Sequence, residues 1–379
     1  MDFTMDMEQY LQTHHQQLLE LIRDLCVLPA PSHHEELRAA FCKDWFEKTG
    51  GEGVYIDEAL NVVCPYQVTE DGPVVVLCAH TDTVFPDMEP MEFREDGEKF
   101  YCPGVCDDTT NLAVMMICAK YFLQTKPKAI CGILFVANSC EEGLGNLKGT
   151  RAIAARYGSR MQELVTFDGA SLNKINNVCV GSHRYQITVK TEGGHSFGAF
   201  GNRNAIACLA SMINTFYSVK VPQENGSKTT YNVGIISGGT SVNTIAQEAQ
   251  MLYEYRSDNI HCLAKMEKMY EGVIAAYQNM GITVESVRLG ERPCGNVDLE
   301  RERALAERMA ESIRRIVGVE PNFRSGSTDC NIPMSMGIPA VCIGVCEATG
   351  VHTREEEIKL ESLPIGSRLC MDVMRYYFQ

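Results

Sequence analysis

The sequence predicts an α/β fold: a mostly parallel sheet flanked by helices, with a smaller α+β unit inserted into it. Two continuous apolar runs of strand length, at 74–78 and 130–137, are typical of strands buried on both faces of a parallel sheet. Between them, residues 112–123 are apolar on nearly all sides, as in a buried helix. The third observation is a change of pattern near Ser182, where half-exposed strands replace the buried ones.

The elements of the main fold follow in order along the chain. Apolar residues at helical spacing predict helices at 5–28 and at about 34–48, with Pro29 and Pro31 between them. A short buried strand is predicted at 164–167. The remaining elements are predicted beyond the insertion: a helix at about 299–317, a strand at 340–345 and a helix at about 361–377. Because strands alternate with helices, we expect residues 1–182 and 294–379 to form one α/β domain.

The inserted segment is expected to form a compact domain of its own, residues 183–293. Its pattern predicts strands at 184–191, 231–236, 249–255 and 282–289, and helices at 204–217 and 259–279. The resulting order, β-α-β-β-α-β, is that of the split ferredoxin-like unit. The chain then returns to the main sheet through a segment that contains Pro293 and Gly295.

Composition and charge exclude several classes of protein. The net charge of −15 argues against binding to a nucleic-acid backbone. No apolar stretch reaches the length of a membrane span, and no signal peptide is visible, so no membrane partner is expected. The 17 cysteines are an odd number without a CxxC zinc pattern, which indicates reduced thiols and a cytoplasmic location.

Side chains that can bind metals follow the two long apolar strands. His80 and Asp82 come just after 74–78, and Glu141 and Glu142 come just after 130–137. Ligands of α/β proteins bind at the carboxyl ends of parallel strands, where these residues are expected to meet. Alternatively, the histidine could belong to an ordinary turn, and the two glutamates to a solvated acidic loop.

Three further candidates lie elsewhere in the predicted α/β domain. Asp107 precedes the buried helix, where one aspartate could instead be its N-cap. Asp168 follows the strand at 164–167, and His352 lies beyond the strand at 340–345; each alone could be an ordinary loop residue. Together with His80 and Glu142, they offer two imidazoles and three carboxylates. Zinc favours this set, whereas calcium and magnesium do not favour imidazole.

The chain resembles the co-catalytic di-zinc metallopeptidase and amidohydrolase family. That family includes peptidase T, glutamate carboxypeptidase, dipeptidases, aminoacylase, acetylornithine deacetylase and succinyl-diaminopimelate desuccinylase. The resemblance is carried by motifs along nearly the whole chain: Leu28–Ser32, His80–Asp82, Gly104–Asp108, Glu141–Gly143, Phe167–Asp168, Gly194–Ser196, Ser325–Asp329, Gly337–Pro339 and His352–Thr353. The stretch from Ser325 to Asn331 is most similar to the peptidase T branch.

The resemblance implies a zinc exopeptidase-like fold and two zinc ions, for which cobalt or manganese could substitute. Asp107 would bridge the ions. His80 and Asp168 would complete one site, and Glu142 and His352 the other.

The resemblance also implies the roles of residues around the metals. Glu141 would be the general base and later the general acid, while Asp82 would orient His80. The domain at 183–293 would be a lid through which two chains form a homodimer.

Three residues of that lid have implied roles toward the substrate. His195 would reach a neighbouring subunit's active site and stabilise the oxyanion. Asn243 and Arg256 would contact the substrate, although Arg256 could instead be a surface arginine at a strand end.

We therefore expect zinc-dependent hydrolysis of amide bonds in small peptides by a peptidase T-like di- or tripeptide exopeptidase, with water activated by the metals and Glu141. An N-acyl amino acid deacylase of the same family is the alternative. A hypothesis of another class is a non-catalytic binding protein on this fold. A nucleotide-binding protein is disfavoured, since no GxGxxG or Walker pattern follows a strand.

Overall fold

The computed structural model describes residues 4–379, which form two compact units. The first unit consists of the described residues up to Cys179 together with Asn296–Gln379. The second unit is Val180–Gly295. Among residues 4–379, no helix has both the length and the apolar character that crossing a membrane would require.

The helices are distributed over both units. They are α1 Met5–Cys26, α2 Glu36–Lys48, α3 Asn111–Thr125, α4 Lys148–Tyr157, α5 Ala205–Ser218, α6 Ile260–Asn279, α7 Leu299–Ile316, α8 Asn331–Ser335 and α9 Leu363–Met374. Of these, α5 and α6 belong to the second unit.

The strands form larger and smaller sheets. In the first unit they are β1 Tyr55–Ile56, β2 Val62–Tyr66, β3 Val74–His80, β4 Arg94–Glu95, β5 Lys99–Tyr101, β6 Gly132–Asn138, β7 Met161–Phe167, β8 Lys174–Cys179, β15 Asn322–Gly326, β16 Ala340–Ile343, β17 Ala348–Thr349 and β18 Glu357–Lys359. In the second unit they are β9 Gly181–Lys190, β10 Gly194–His195, β11 Thr229–Gly238, β12 Thr244–Ile245, β13 Glu248–Ser257 and β14 Thr283–Arg292.

The main sheet of the first unit has eight strands in the order β1-β2-β6-β3-β7-β16-β8-β15. Its four central strands, β6, β3, β7 and β16, run parallel to one another. Their carboxyl ends lie at one edge of the sheet, where His80 pairs with Asn138, and Ile343 with Phe167. The predicted α/β fold with a mostly parallel sheet is confirmed.

Burial on both faces explains the continuous apolar run of β3, in which every residue is buried. Val75 and Leu77 belong to the larger core cluster, which helices α1, α3 and α9 help to form. Val74 and Val76 point to the opposite face and belong to a second cluster. Since successive side chains of a strand alternate between faces, only a strand covered on both sides is apolar throughout.

The second unit is built on an antiparallel sheet in the order β11-β13-β9-β14. Along the chain the large elements follow as β9-α5-β11-β13-α6-β14, which is the ferredoxin-like arrangement. The short strands β10 and β12 pair with each other beside it. Alternate strand residues such as Ile187 and Met251 pack with Phe216 and Tyr270 in a separate core.

Candidate metal centre

The five side chains singled out as metal ligands come together at the carboxyl edge of the main sheet. Asp107 lies between two histidines: its Oδ1 is 2.9 Å from Nε2 of His80, and its Oδ2 is 2.9 Å from Nε2 of His352. The same Nε2 of His352 is 3.0 Å from Oε1 of Glu142. Asp168 offers a ligand atom within 4.8 Å of those of His80 and Asp107. The geometry therefore forms two adjoining groups that share Asp107.

The strands explain how these residues meet. His80 is the last residue of β3, and Glu142 follows the end of the neighbouring β6. Asp168 directly follows β7, on the other side of β3. Asp107 lies in the turn that leads into α3, and His352 lies beyond β16 in a left-handed backbone conformation, φ 64°.

The carboxylates of this cluster repel one another. Burial raises the pKa of Asp168 to about 7, and the neighbouring Asp107 carboxylate adds to the effect. Burial likewise raises the pKa of Glu142. Burial acts in the same direction on Asp107, but hydrogen bonds with His352 and His80 outweigh it and lower its pKa overall. Crowded buried carboxylates beside imidazole nitrogens are the donor set that divalent zinc accepts, and a cation relieves their repulsion.

Asp82 connects one ligand with the segment that carries the two glutamates. Its Oδ1 accepts the backbone N–H of Glu141 and its Oδ2 that of Glu142, both at 2.9 Å. Ser32 donates its hydroxyl to Oδ2 at 2.6 Å. Nδ1 of His80 lies 3.0 Å from the Asp82 carbonyl and 3.3 Å from its carboxylate, so Asp82 orients the ring through the N–H of Nδ1. The other ring nitrogen, Nε2, faces Asp107, where it can bind a metal once it carries no proton.

Glu141 is almost fully buried beside the cluster, with 5% of its surface exposed. It offers a carboxylate oxygen within 4.8 Å of ligand atoms of His80 and Glu142. A carboxylate at this place can exchange a proton with a molecule bound at the cluster.

Two residues that were not predicted from the sequence also form hydrogen bonds that fix the backbone of the candidate ligands. Asp108 accepts the backbone N–H of His80 through Oδ2 at 2.8 Å, and it belongs to one of the same groups of possible ligands. Glu356 is fully buried and accepts three backbone N–H groups of the turn that contains Asp107. In the sequence Glu356 stands among charged neighbours, a pattern that a solvated loop would also show.

The remaining predicted residues lie in the second unit. His195, in β10, is exposed and pairs with Thr244, while the N–H of Ser196 donates to the carbonyl of Asn243 at 2.9 Å. His195 and Asn243 are thus neighbours. Arg256 is near the end of β13 and forms a two-bond pair with Glu254, at 2.9 and 3.0 Å.

The backbone around His195 fixes which nitrogen of its ring can donate. Nδ1 faces the N–H groups of Phe197 and Gly198, each at 3.3 Å. Because both are donors, Nδ1 is the acceptor, and in the neutral ring Nε2 carries the proton. His195 therefore presents an N–H donor to its surroundings.

The sequence model of peptidase family M20/M25/M40 matches residues 76–376 of this chain. The chain belongs to this family. It is accordingly an enzyme, a hydrolase of the family's peptidase and amidohydrolase class, and the groups around Asp107 are candidate metal ligands.

Similar proteins include hydrolases of different substrates. A tripeptidase of Staphylococcus aureus has a structure that superposes with a TM-score of 0.78 at 21% identity, covering 96% of this chain and 98% of that one. A succinyl-diaminopimelate desuccinylase of Bordetella petrii is 25% identical over 77% of this chain and 80% of its own length. A probable carboxypeptidase of Trichophyton verrucosum is 23% identical over 62% of this chain, a match that spans 56% of that relative.

Proposed function

We propose that the protein is a zinc-dependent exopeptidase that hydrolyses di- and tripeptides, similar to peptidase T. The observation that carries the proposal is the convergence of two histidines and two further carboxylates on Asp107, with Glu141 buried beside them. A metal cluster with an adjacent carboxylate is the arrangement needed for metal-assisted hydrolysis of an amide bond.

Two metal ions fit the residues present. His80 and Asp168 would hold one ion, Glu142 and His352 the other, and Asp107 would bridge them. Imidazole ligands favour zinc, with cobalt or manganese as substitutes in the same ligands. When bound, such ions polarise a carbonyl group and lower the pKa of water.

The chain's own residues would move the protons and stabilise charge. Glu141 would accept a proton from the attacking water and deliver it to the leaving amine. Asp82 keeps Glu141 and His80 in fixed positions through the hydrogen bonds described above. His195, whose Nε2 is the donor, would stabilise the oxyanion of the tetrahedral intermediate in a neighbouring subunit.

The second unit would serve as a lid and as the surface through which two chains form a homodimer. We place the catalytic domain at 1–182 and 294–379 and the lid at 183–293. Asn243 would contact the substrate beside His195. Arg256 would bind a substrate carboxylate, for which Glu254 already holds the guanidinium in place. The 17 free thiols support a reducing, cytoplasmic location.

Deacylation of N-acyl amino acids is the second candidate. The similarity to a desuccinylase over 77% of the chain favours it, since that relative's name describes the removal of an acyl group. A non-catalytic binding protein is less well supported, because Glu141 and all five candidate ligands are present.

A substrate panel distinguishes the two candidates. The zinc-loaded chain would be assayed with di- and tripeptides, with the same peptides blocked at the amino or carboxyl terminus, and with N-acetyl and N-succinyl amino acids. We expect hydrolysis of free peptides with a kcat/KM well above that for the acyl amino acids. Preference for acyl substrates would support the second candidate, and no hydrolysis of either class would refute both.

A further inference from the structure

Glu356 holds the turn before Asp107 through several hydrogen bonds to its backbone. Oε1 of Glu356 accepts the backbone N–H of Cys106 at 2.7 Å and that of Asp107 at 3.0 Å. Oε2 accepts the backbone N–H of Gly104 at 3.1 Å. The carbonyl of Glu356 also accepts the N–H of Cys102 at 3.2 Å. A single residue therefore bonds four amides of the segment 102–107.

These bonds are important because the segment is buried. Glu356 is 0% exposed, and Gly104 and Cys106 are buried as well. A buried carboxylate is stable only when its oxygens are hydrogen-bonded, and buried N–H groups need acceptors. Bonds from N–H groups to a carboxylate are among the stronger hydrogen bonds of proteins. Their loss would release the backbone of the turn.

The same residue connects the two loops that meet at the metal centre. Glu356 lies four residues after His352, whose Nε2 contacts Oδ2 of Asp107 at 2.9 Å. Its side chain holds the backbone of Asp107 itself. The side chain of Glu356 thus joins the backbone of Asp107 to the loop that carries His352.

We propose that Glu356 is a positioning residue, which fixes Asp107 relative to His352 and so sets the affinity of the metal site that these two residues form with Glu142. The proposal rests on the two-metal function above. Substitution of residues that hydrogen-bond to metal ligands commonly lowers the metal affinity or the activity by roughly 10- to 100-fold. Glu356 makes no contact with the ion in this account and acts only through Asp107 and its loop.

The test replaces the acceptor and measures metal binding directly. In Glu356→Gln, the carbonyl oxygen can still accept two N–H groups, but the amide NH₂ would face the N–H of Gly104. We expect one of two zinc ions to bind roughly 10- to 100-fold more weakly, as measured by competition with a chromophoric chelator. The visible absorption spectrum of the Co²⁺-loaded chain should change too, because it reports the geometry of the ligands.

Glu302→Gln is the matched control. Glu302 is also a buried glutamate of the first unit, and it accepts a backbone N–H, that of Ala340, but it contacts none of the candidate ligands. Its variant should keep the zinc affinity and the cobalt spectrum of the wild type. If Glu356→Gln does not fold, the same measurements would be made on Glu356→Asp, which is a milder substitution because it retains the charge on a shorter side chain.

The possible results distinguish failure of the positioning role of Glu356 from failure of the proposed function on which that role rests. Wild-type zinc affinity and an unchanged cobalt spectrum in a folded Glu356 variant would overturn the positioning role and leave the proposed function intact. If the wild-type chain bound no zinc, the proposed function would fail, and the positioning role with it.

Discussion

At the residue scale, the chemistry depends on neighbouring carboxylates that have different partners. Asp82 accepts two backbone N–H groups and the hydroxyl of Ser32, and Nδ1 of His80 lies 3.3 Å from its Oδ1, so each of its oxygens has two donor neighbours. Glu142 contacts His352 and is directed into the cluster. Glu141, next to it in the chain, is the carboxylate that we assign to proton transfer. In the proposed function, these three acidic residues would have three separate tasks because their surroundings differ.

Replacing Glu141 with glutamine tests the assignment of the base. The variant keeps the size of the side chain but cannot accept the proton, so kcat should fall by about 10²–10⁴. Zinc content, measured by elemental analysis, and the circular dichroism spectrum should stay at wild-type values. A variant with near wild-type turnover would show that another group is the base.

Glu302 provides a pH-dependent prediction away from the metal centre. Burial raises its pKa from 4.5 to about 7. The folded state therefore binds this proton more tightly than the unfolded state, and stability is lost as the pH rises from about 4.5 to about 7. Each pKa unit corresponds to about 1.4 kcal/mol, which sets an upper limit of about 3.5 kcal/mol on the loss.

Glu302→Gln removes this proton equilibrium. Relative to the wild type, the variant should gain stability as the pH is raised from 5 to 8, measured as the free energy of unfolding in urea at each pH. A difference between the two proteins that is independent of pH would contradict the raised pKa.

Some of the candidate functional residues can be predicted from the sequence, and others cannot, for a physical reason. His80 and Glu142 can be predicted as candidate ligands because they follow long apolar strands, whose ends can be located from the apolar pattern. Glu356 has no such signal. It lies in the charged stretch 354–357, and its importance depends on a turn 250 residues earlier in the chain. Such long-range contacts between a side chain and the backbone cannot be derived from spacing.

At the element scale, the segment after β6 is confined by the start of α4. Asn61 accepts the N–H of Ser139 through its side chain at 3.0 Å, and the N–H of Gly149 donates to the carbonyl of Ser139 at 3.2 Å. A Cβ atom on Gly149 would overlap both that carbonyl and Oδ1 of Asn61. Only glycine allows α4 to approach the segment that leads to Glu141 so closely.

Gly149→Ala should therefore disturb the catalytic segment. The added methyl group must displace Ser139, so we expect lower stability and a lower kcat, with weaker zinc binding by Glu142. Gly272→Ala is the control: this helical glycine in α6 has no atom within 4 Å of its added Cβ, and alanine should stabilise it by about 0.4–1 kcal/mol. Thermal unfolding and steady-state kinetics of both variants check the prediction. Equal stability and equal kcat in Gly149→Ala and Gly272→Ala would contradict it.

Elements with a clear apolar pattern were predicted from the sequence, whereas helix α4 and the shortest strands were not. The predicted strand at 74–78 corresponds to β3, and the predicted helix at 112–123 corresponds to α3. The small sheet β17-β18-β5-β4 was not predicted. Its strands have only two or three residues, too few to show a period of two. This sheet nevertheless positions Glu356, which directly precedes β18.

At the scale of the whole molecule, the proposed function assigns His195 and Glu141 to different subunits of one active site. Whether one active site combines His195 of one chain with Glu141 of the other can be tested by mixing two inactive variants, His195→Ala and Glu141→Gln. A mixed dimer contains one site in which both residues are intact. If chains exchange freely, half of the dimers are mixed, and about a quarter of the wild-type activity should return.

The mixing experiment has its own control. Each variant, treated in the same way but alone, should remain inactive. Failure of the mixture to regain activity, although native mass spectrometry shows mixed dimers, would contradict the role of His195 in a neighbouring subunit. The assignment of the metal ligands would not be affected.

The proposed function requires two zinc ions bound around Asp107, and measuring the metal content of the chain tests this requirement. The chain would be stripped with a chelator and titrated with Zn²⁺ while bound metal and peptide hydrolysis are followed together. We expect two ions per chain, activity that is lost on stripping and recovered on reloading, and loss of tight binding of both ions in Asp107→Ala. A stripped chain that remains active, or an Asp107→Ala variant that still binds two ions tightly, would contradict it.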